Sequence, residues 1–182
     1  MIDNLITNDV TILVPTKNRP NFLFRLLNFY YKADFKGCIL IGDASDDNFL
    51  QEIKEIISSF NSKINIKYFI FNEGVNSTIE FLSQKIETTY CLYCSDYDFI
   101  APNGIAKSLV FLKENPEYNA VHGKGAMITL DSDGCFGNMV SLFSYPQAIV
   151  DGESAAERLK NYLIPPYAML YSLHRTDSWK KM

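Results

Sequence analysis

A chain of 182 residues, 47% hydrophobic and 21% charged, has the composition of an ordinary globular protein and enough length for one domain with a sizeable core. Its formal net charge of −4 argues against nucleic acid as a partner, because phosphate-backbone binders carry basic surfaces. No apolar run is long enough to span a bilayer and the opening Met1-Ile2-Asp3-Asn4 is not a signal peptide, so the expected setting is the cytoplasm, with room for peripheral attachment to the inner face of a membrane.

In chain order, Val10–Val14 is a short apolar run closed by Pro15, a first strand. A polar loop, Thr16–Arg19, leads to Pro20 at the first turn of a helix whose apolar stripe is Phe22, Leu23, Leu26, Leu27 and Tyr30. Cys38–Ile41 is strand two, ending in the acidic turn Gly42–Asp47; Phe49, Ile53, Ile56, Ile57 and Phe60 mark helix two. Ile64–Phe71 is strand three, and Ile79, Leu82 and Ile86 the buried side of helix three. Tyr90–Cys94 is strand four, followed by a helix from Pro102 or Asn103 with Ile105, Leu109 and Leu112 inward, ended by Asn115-Pro116. Four βα units without a hairpin signal predict an α/β fold with a mostly parallel sheet, helices on both faces, and all four post-strand loops at one edge. Beyond them the spacing predicts strands over Ala120–Leu130 and Cys135–Phe143 joined by Asp131-Ser132-Asp133-Gly134. A helix over Ser154–Leu163 should bury Ala155, Ala156, Leu159 and Leu163; Tyr167–Leu173 should be a last strand, and His174–Trp179 the start of a helix.

Cys91 and Cys94 form a C-x-x-C inside a strand, which puts them on opposite faces and suits buried, reduced side chains rather than a metal or redox pair. Cys38 and Cys135 read the same way, and His122 and His174 stand alone in contexts that suit packing or local hydrogen bonding.

Strand four gives out into Ser95-Asp96-Tyr97-Asp98. Two carboxylates one residue apart at the carboxyl end of a strand can turn toward one point in a crevice, where ligands of open α/β sheets sit. Their repulsion is relieved by a cation between them. Mg²⁺ or Mn²⁺ prefers such oxygen ligands and shares them with substrate phosphates.

The run TILVPTKNRPNFLFRLLNFY, the loop IGDASDD and the block YCLYCSDYDFIAPNGIAKSL, in this order, resemble the family-2 nucleotide-sugar glycosyltransferases of the GT-A fold over about residues 8–130. The resemblance implies a Rossmann-like GT-A fold with a C-terminal β-hairpin region. It also implies one domain over 1–182, in which 1–115 bind the donor and 116–182 form an acceptor side expected to be incomplete. It implies a nucleotide-diphosphate sugar donor, UDP-sugar favoured, with Mn²⁺ or Mg²⁺ as cofactor and a saccharide or lipid-linked saccharide as acceptor. By position, Pro15, Thr16, Lys17, Asn18 and Arg19 match the loop that cradles the base, Asp43 the acid that reads it, and Ser45 lies in the same second loop. Asp96 matches the acid near the ribose or metal, and Asp98 the metal ligand proper. Lys17 stands where an aromatic is frequent, and the loop NEGVNSTIEF lacks an Arg-Asn pair, leaving Asn72 and Asn76 for the donor. The residues alone also allow Asp43 to cap helix two, and Thr16 with Asn18 to cap helix one.

Glycosyl transfer must neutralise a departing nucleoside diphosphate and deprotonate an acceptor hydroxyl. Tyr167–Arg175 resembles the strand and Arg-bearing segment after which inverting members carry their base. Asp177 is the acid nearest that place, in a context that also suits a helix cap; Asp151 and Glu153 come next. Two other readings stand beside the transferase: a non-catalytic sugar-nucleotide-binding module or fragment of the same fold, and a phosphohydrolase with Asp96 as nucleophile and Asp98 as acid.

Overall fold

The computed structural model describes residues 7–71, 73–147, 149–163 and 171–182. Four βα units come first: β1 (Val10–Thr16), α1 (Pro20–Lys32), β2 (Cys38–Asp43), α2 (Asp47–Phe60), β3 (Asn65–Ile70), α3 (Val75–Gln84), β4 (Tyr90–Tyr93) and α4 (Pro102–Glu114). Short strands β5 (Ala120–Val121), β6 (Gly125–Leu130) and β7 (Met139–Tyr145) follow, then α5 (Ala155–Leu163), β8 (Leu173–Arg175) and α6 (Thr176–Trp179).

The main sheet has the order β3-β2-β1-β4-β8-β5. Its first four strands are parallel, so the loops leaving them share one edge; β8 runs antiparallel to both β4 and β5. Successive side chains on a strand face opposite sides, and the apolar residues sort accordingly. Ile12, Val14, Ile39, Ile41 and Leu92 pack with Leu23, Leu26 and Leu27 of α1, Ile53 and Ile57 of α2, and Leu109 and Leu112 of α4. Leu13, Leu40 and Cys91 pack on the other side with Leu82 of α3, backed by Trp179 of α6. Both faces are therefore covered, which is why the parallel strands carry near-continuous apolar runs. Cys91 and Cys94 do lie in different clusters, and all four cysteines are buried free thiols.

Two packing details fix the edge where the loops emerge. The Tyr30 ring is fully buried; its hydroxyl bonds Cys94 Sγ at 3.9 Å and accepts the Ile100 amide at 3.3 Å, pinning α1 to the segment leaving β4. Gly42 is the point of closest approach between β2 and α3: a Cβ there would stand 2.4 Å from Thr78 Cγ2 and 3.2 Å from Leu82 Cδ1.

The second half departs from the sequence pattern. The run Ala120–Leu130 is two strands in two sheets, parted at His122-Gly123-Lys124; β7 begins at Met139 rather than Cys135. β6 and β7 make a separate antiparallel ribbon, with a register shift between Thr129 and Leu130. Helix α5 forms over nearly the expected span but buries none of its residues; Leu159 and Leu163 remain more than half exposed. The strand expected over Tyr167–Leu173 lies largely outside the described residues. The strand seen is Leu173–Arg175, so His174 and Arg175 precede α6 rather than opening it. The chain divides into two compact units, one running to Val121 together with Ser172–Met182, the other His122–Tyr171. In this division β5, β8 and α6 group with the parallel strands. Among the described residues no helix is long and apolar enough to cross a membrane.

Candidate functional site

The loops after β1, β2, β3 and β4 enclose a crevice of about 1020 Å³, lined in turn by Pro15–Arg19, Ala44–Asp47, Glu73–Val75 with Thr78, and Tyr93 with Ser95–Tyr97. It lies outside the carboxyl ends of parallel strands, flanking β1, where the order turns from β2 to β4.

Its floor is a buried carboxylate. Asp96 is 4% exposed; its Oδ2 accepts the Thr16 hydroxyl at 2.8 Å and its Oδ1 lies 3.3 Å from Arg19 Nη1. Burial raises its pKa above the ordinary aspartate value, while Thr16 and Arg19 pull it back. Arg19 is half-exposed, and its guanidinium also sits over the Tyr97 ring at 5.5 Å and the Phe22 ring at 5.9 Å. The cation beside Asp96 is thus one the chain supplies. Arg25 donates to the Tyr97 carbonyl at 2.7 Å and stacks on Phe22 and Phe99, so α1 grips the acidic loop from its other side.

The β1 and β2 loops are laced together. Asn18 takes the left-handed conformation, φ 56°, which asparagine tolerates better than most residues. Its amide donates to Ser45 Oγ at 2.7 Å, its Nδ2 to Asp46 Oδ2 at 2.7 Å, and its Oδ1 accepts the Asp46 amide at 2.8 Å. Asp43 lies beneath: wholly buried, it accepts the Ser45 amide on Oδ1 at 2.9 Å and the Tyr68 hydroxyl on Oδ2 at 2.6 Å.

Of the sequence-derived candidates, Pro15, Thr16, Lys17, Asn18, Arg19, Ser45 and Asp96 meet in the crevice lining. Asp43 is wholly buried and is not among the lining residues. Asp98 is half-buried and also outside the lining; Asn76 is exposed on the first turn of α3, away from it, and Asn72 lies outside the described residues. The capping alternatives do not hold: the N-caps of α1 and α2 are Arg19 and Asp46, neither with a side-chain cap bond, and Thr16 and Asp43 spend their oxygens elsewhere.

The pairing of β8 fixes where Asp177, the candidate base, stands. Because Arg175 pairs with Tyr90, at the amino end of β4, Asp177 lies at the sheet edge opposite Asp96. There it lines a separate cavity of about 430 Å³ with Thr88 and Thr89. Arg175 donates to the carbonyls of Tyr118, Leu112 and Asn115, which completes the carboxyl end of α4 rather than serving a ligand. Asp151 and Glu153 are exposed and belong to the other unit. Sequence reasoning missed Glu73, Val75, Thr78 and Tyr93 as crevice residues: in the loop after β3 it singled out the asparagines, and Tyr93 reads as a strand residue. Tyr97 was legible only as the residue between two acids.

No family model and no curated protein matches the chain. Solved structures do. The chain is similar to Staphylococcus aureus TarS 1-349, at 21% identity and TM-score 0.63, over 95% of this chain and 48% of that one. The same TarS fragment in complex with UDP-GlcNAc gives 20% identity and TM-score 0.63, over 95% and 47%. A mannosyltransferase, PcManGT from Pyrobaculum calidifontis in complex with GDP-Man and Mn²⁺, gives 16% and 0.55, over 65% and 36%. These are glycosyltransferases, and at such identities the likeness speaks for the fold: α/β, of GT-A type, with a mainly parallel central sheet. The chain spans less than half the length of each of the three.

Proposed function

We propose that this chain is the donor-binding part of a nucleotide-sugar glycosyltransferase of the family-2 kind, taking a UDP-sugar and passing its sugar to a hydroxyl of a saccharide or lipid-linked saccharide. The observation that carries the reading is the convergence of four post-strand loops on one large crevice with Asp96 at its floor. Binding of UDP-GlcNAc and of GDP-Man by two similar structures supports a sugar nucleotide as the ligand class.

A divalent metal fits the donor set in one specific way. Among the described residues no group of three His, Cys, Asp or Glu side chains stands ready to hold an ion. Asp96 already meets Thr16 and Arg19, so the chain offers one or two carboxylates, Asp98 and secondarily Asp96. That is the set used when substrate phosphates complete the coordination. Bound there, Mn²⁺ or Mg²⁺ would supply Lewis-acid neutralisation of the departing diphosphate. The chain's own contribution is positional. Thr16 and Arg19 hold Asp96, Asn18 and Ser45 shape the β1–β2 side, and the half-exposed guanidinium of Arg19 faces the crevice as a cationic contact for phosphate oxygens. Free, buried thiols accord with a cytoplasmic setting.

A phosphohydrolase built on Asp96 is disfavoured, because a nucleophile needs a free oxygen and both Asp96 oxygens are engaged, Oδ2 by Thr16 and Oδ1 by Arg19. A binding module without turnover is favoured by one finding, the placement of Asp177 at the opposite edge. Calorimetric titration with UDP and GDP, in Mn²⁺ and in chelator, tests the reading; micromolar, metal-dependent UDP binding is expected. No binding of either nucleotide would refute it. Release of UDP from a UDP-sugar then separates the enzyme from the module.

A further inference from the structure

We infer that Tyr68 is a positioning residue for the crevice, acting through Asp43 on the two loops that line its β1–β2 side. The inference rests on the sugar-nucleotide reading for its ligand, but its structural core stands independently. Tyr68 lies on β3 and is not itself a lining residue, yet it begins an unbroken chain of hydrogen bonds that ends in the crevice. Its hydroxyl donates to Asp43 Oδ2 at 2.6 Å; Asp43 Oδ1 takes the Ser45 amide at 2.9 Å; Ser45 Oγ takes the Asn18 amide at 2.7 Å. Asn18 closes the link to Asp46 from both ends of its side-chain amide.

Every joint in this chain has a physical reason to be strict. Asp43 is wholly buried, so its carboxylate has no water to replace a lost donor, and an unsatisfied buried charge is costly. Ser45 is also buried, 2% exposed, and its hydroxyl is the acceptor that meets the left-handed Asn18 backbone. Burial and the Asp43 contact both raise the Tyr68 pKa, which keeps the phenol protonated and therefore a donor throughout the neutral range. The strand thus sets the carboxylate, the carboxylate sets the turn after β2, and that turn sets the loop after β1. Asp43, which the resemblance implies as a reader of the base, is also the middle of a relay that runs on through Ser45 to Asn18.

The experiment compares the wild-type chain with Tyr68→Phe, Asp43→Asn and the double variant, by amide hydrogen exchange and by UDP titration in Mn²⁺. Phenylalanine keeps the ring and removes only the donor; asparagine presents an N–H group to one of the two donors that Asp43 serves. In Tyr68→Phe, exchange at the Asn18, Ser45 and Asp46 amides should speed up at least about tenfold, the scale of one lost hydrogen bond to a charged group. The Thr89 and Thr176 amides, at the opposite edge, should stay as protected as before. UDP affinity should fall by a similar factor. The double variant should lose no more than the worse single variant, because both changes break one chain. Unchanged exchange at those three amides overturns the inference. So does loss of protection across the whole sheet, which would make Tyr68 a stability residue only, and so do additive losses in the double variant. Faster exchange with unchanged UDP affinity overturns the positioning role. A wild-type chain that binds no UDP refutes the sugar-nucleotide reading instead, and the exchange pattern still decides whether the relay exists.

Discussion

Gly42→Ala should be among the most damaging small substitutions in this chain, although it adds one methyl group on a strand any residue could occupy. The added Cβ would lie 2.4 Å from Thr78 Cγ2, with Leu82 at 3.2 and 3.3 Å, where ordinary contact begins at 3.4 Å. The shortfall against Thr78 is 3.4 − 2.4 = 1.0 Å. Thr78 cannot simply rotate away, since its methyl is buried and its hydroxyl donates to the Gly74 carbonyl at 3.1 Å. Either that bond breaks or α3 moves off the sheet. Overpacking of this kind costs about 1–3 kcal/mol, which at about 2–4 °C per kcal/mol for a chain of this length lowers Tm by about 2–12 °C. Because Gly74, Val75 and Thr78 line the crevice, UDP affinity should fall with it. Thr78→Ser removes the obstructing methyl and keeps the hydroxyl, so the double variant should recover most of both losses. Thermal unfolding within a degree of wild type for Gly42→Ala, or no rescue by Thr78→Ser, would refute the close-approach account.

Three further outcomes are expected. Asp98→Ala should abolish the dependence of UDP binding on Mn²⁺ while leaving Tm nearly unchanged, since a half-buried loop carboxylate contributes little to the core; equal affinity in metal and chelator for the wild type would contradict this. Burial raises the Asp96 pKa in the fold, so its ionised form opposes folding and stability is lost as pH rises through the folded pKa. Asp96→Asn should therefore melt higher than wild type at neutral pH, by a margin that shrinks on acidification, while binding UDP more weakly; a lower Tm at neutral pH would show that Arg19 and Thr16 outweigh burial. His174, packed edge-on to Trp179 at 5.0 Å, is lowered from 6.5 to about 4 by burial. Its neutral form supports the fold, so stability should drop as pH falls from about 6.5 to about 4, by at most about 3 kcal/mol, and His174→Gln should flatten that limb in urea titrations.

What the sequence disclosed follows from which interactions are local. The first four strands are apolar runs cut by Pro15, Gly42 and the acids after Cys94, and their helices carry stripes that land on the core almost residue for residue: Leu23, Leu26, Leu27 and Tyr30 in α1, Ile105, Leu109 and Leu112 in α4. Loops after parallel strands must share an edge, so the place of the site followed from topology before any contact was known. Periodicity names a face but not its partner, and that is why α5 has the expected stripe yet leaves Leu159 and Leu163 exposed. Arg19 and Asp96 are 77 residues apart, and Tyr68 and Asp43 are 25 apart on neighbouring strands. No local pattern shows such pairs, so the counter-ion and the relay became visible only in three dimensions. The position of Asp177 was illegible for the same reason: without the antiparallel pairing of β8 with β4, nothing in the order of residues says which edge of the sheet it reaches.

The two acids of the Asp-x-Asp loop are best understood as unequal. A pair of like charges so close in sequence invites the idea of a shared cation, yet Asp96 meets its hydrogen bond in Thr16, the last residue of β1, and its positive charge in Arg19 from the loop that follows. Those contacts tie the exit of β4 to the exit of β1 and so build the crevice floor whether or not a ligand is present. Asp98, two residues on, has its amide bonded to the Ser95 carbonyl at 3.2 Å, a turn that sends its side chain into a different environment from that of Asp96. A metal shared by both carboxylates would have to draw Asp96 away from Arg19, uncovering a guanidinium beside the incoming phosphates. A metal held by Asp98 and the phosphates leaves the floor intact and keeps Arg19 as a second positive contact. The second arrangement keeps both contacts of Asp96, and for that reason metal dependence should turn on Asp98.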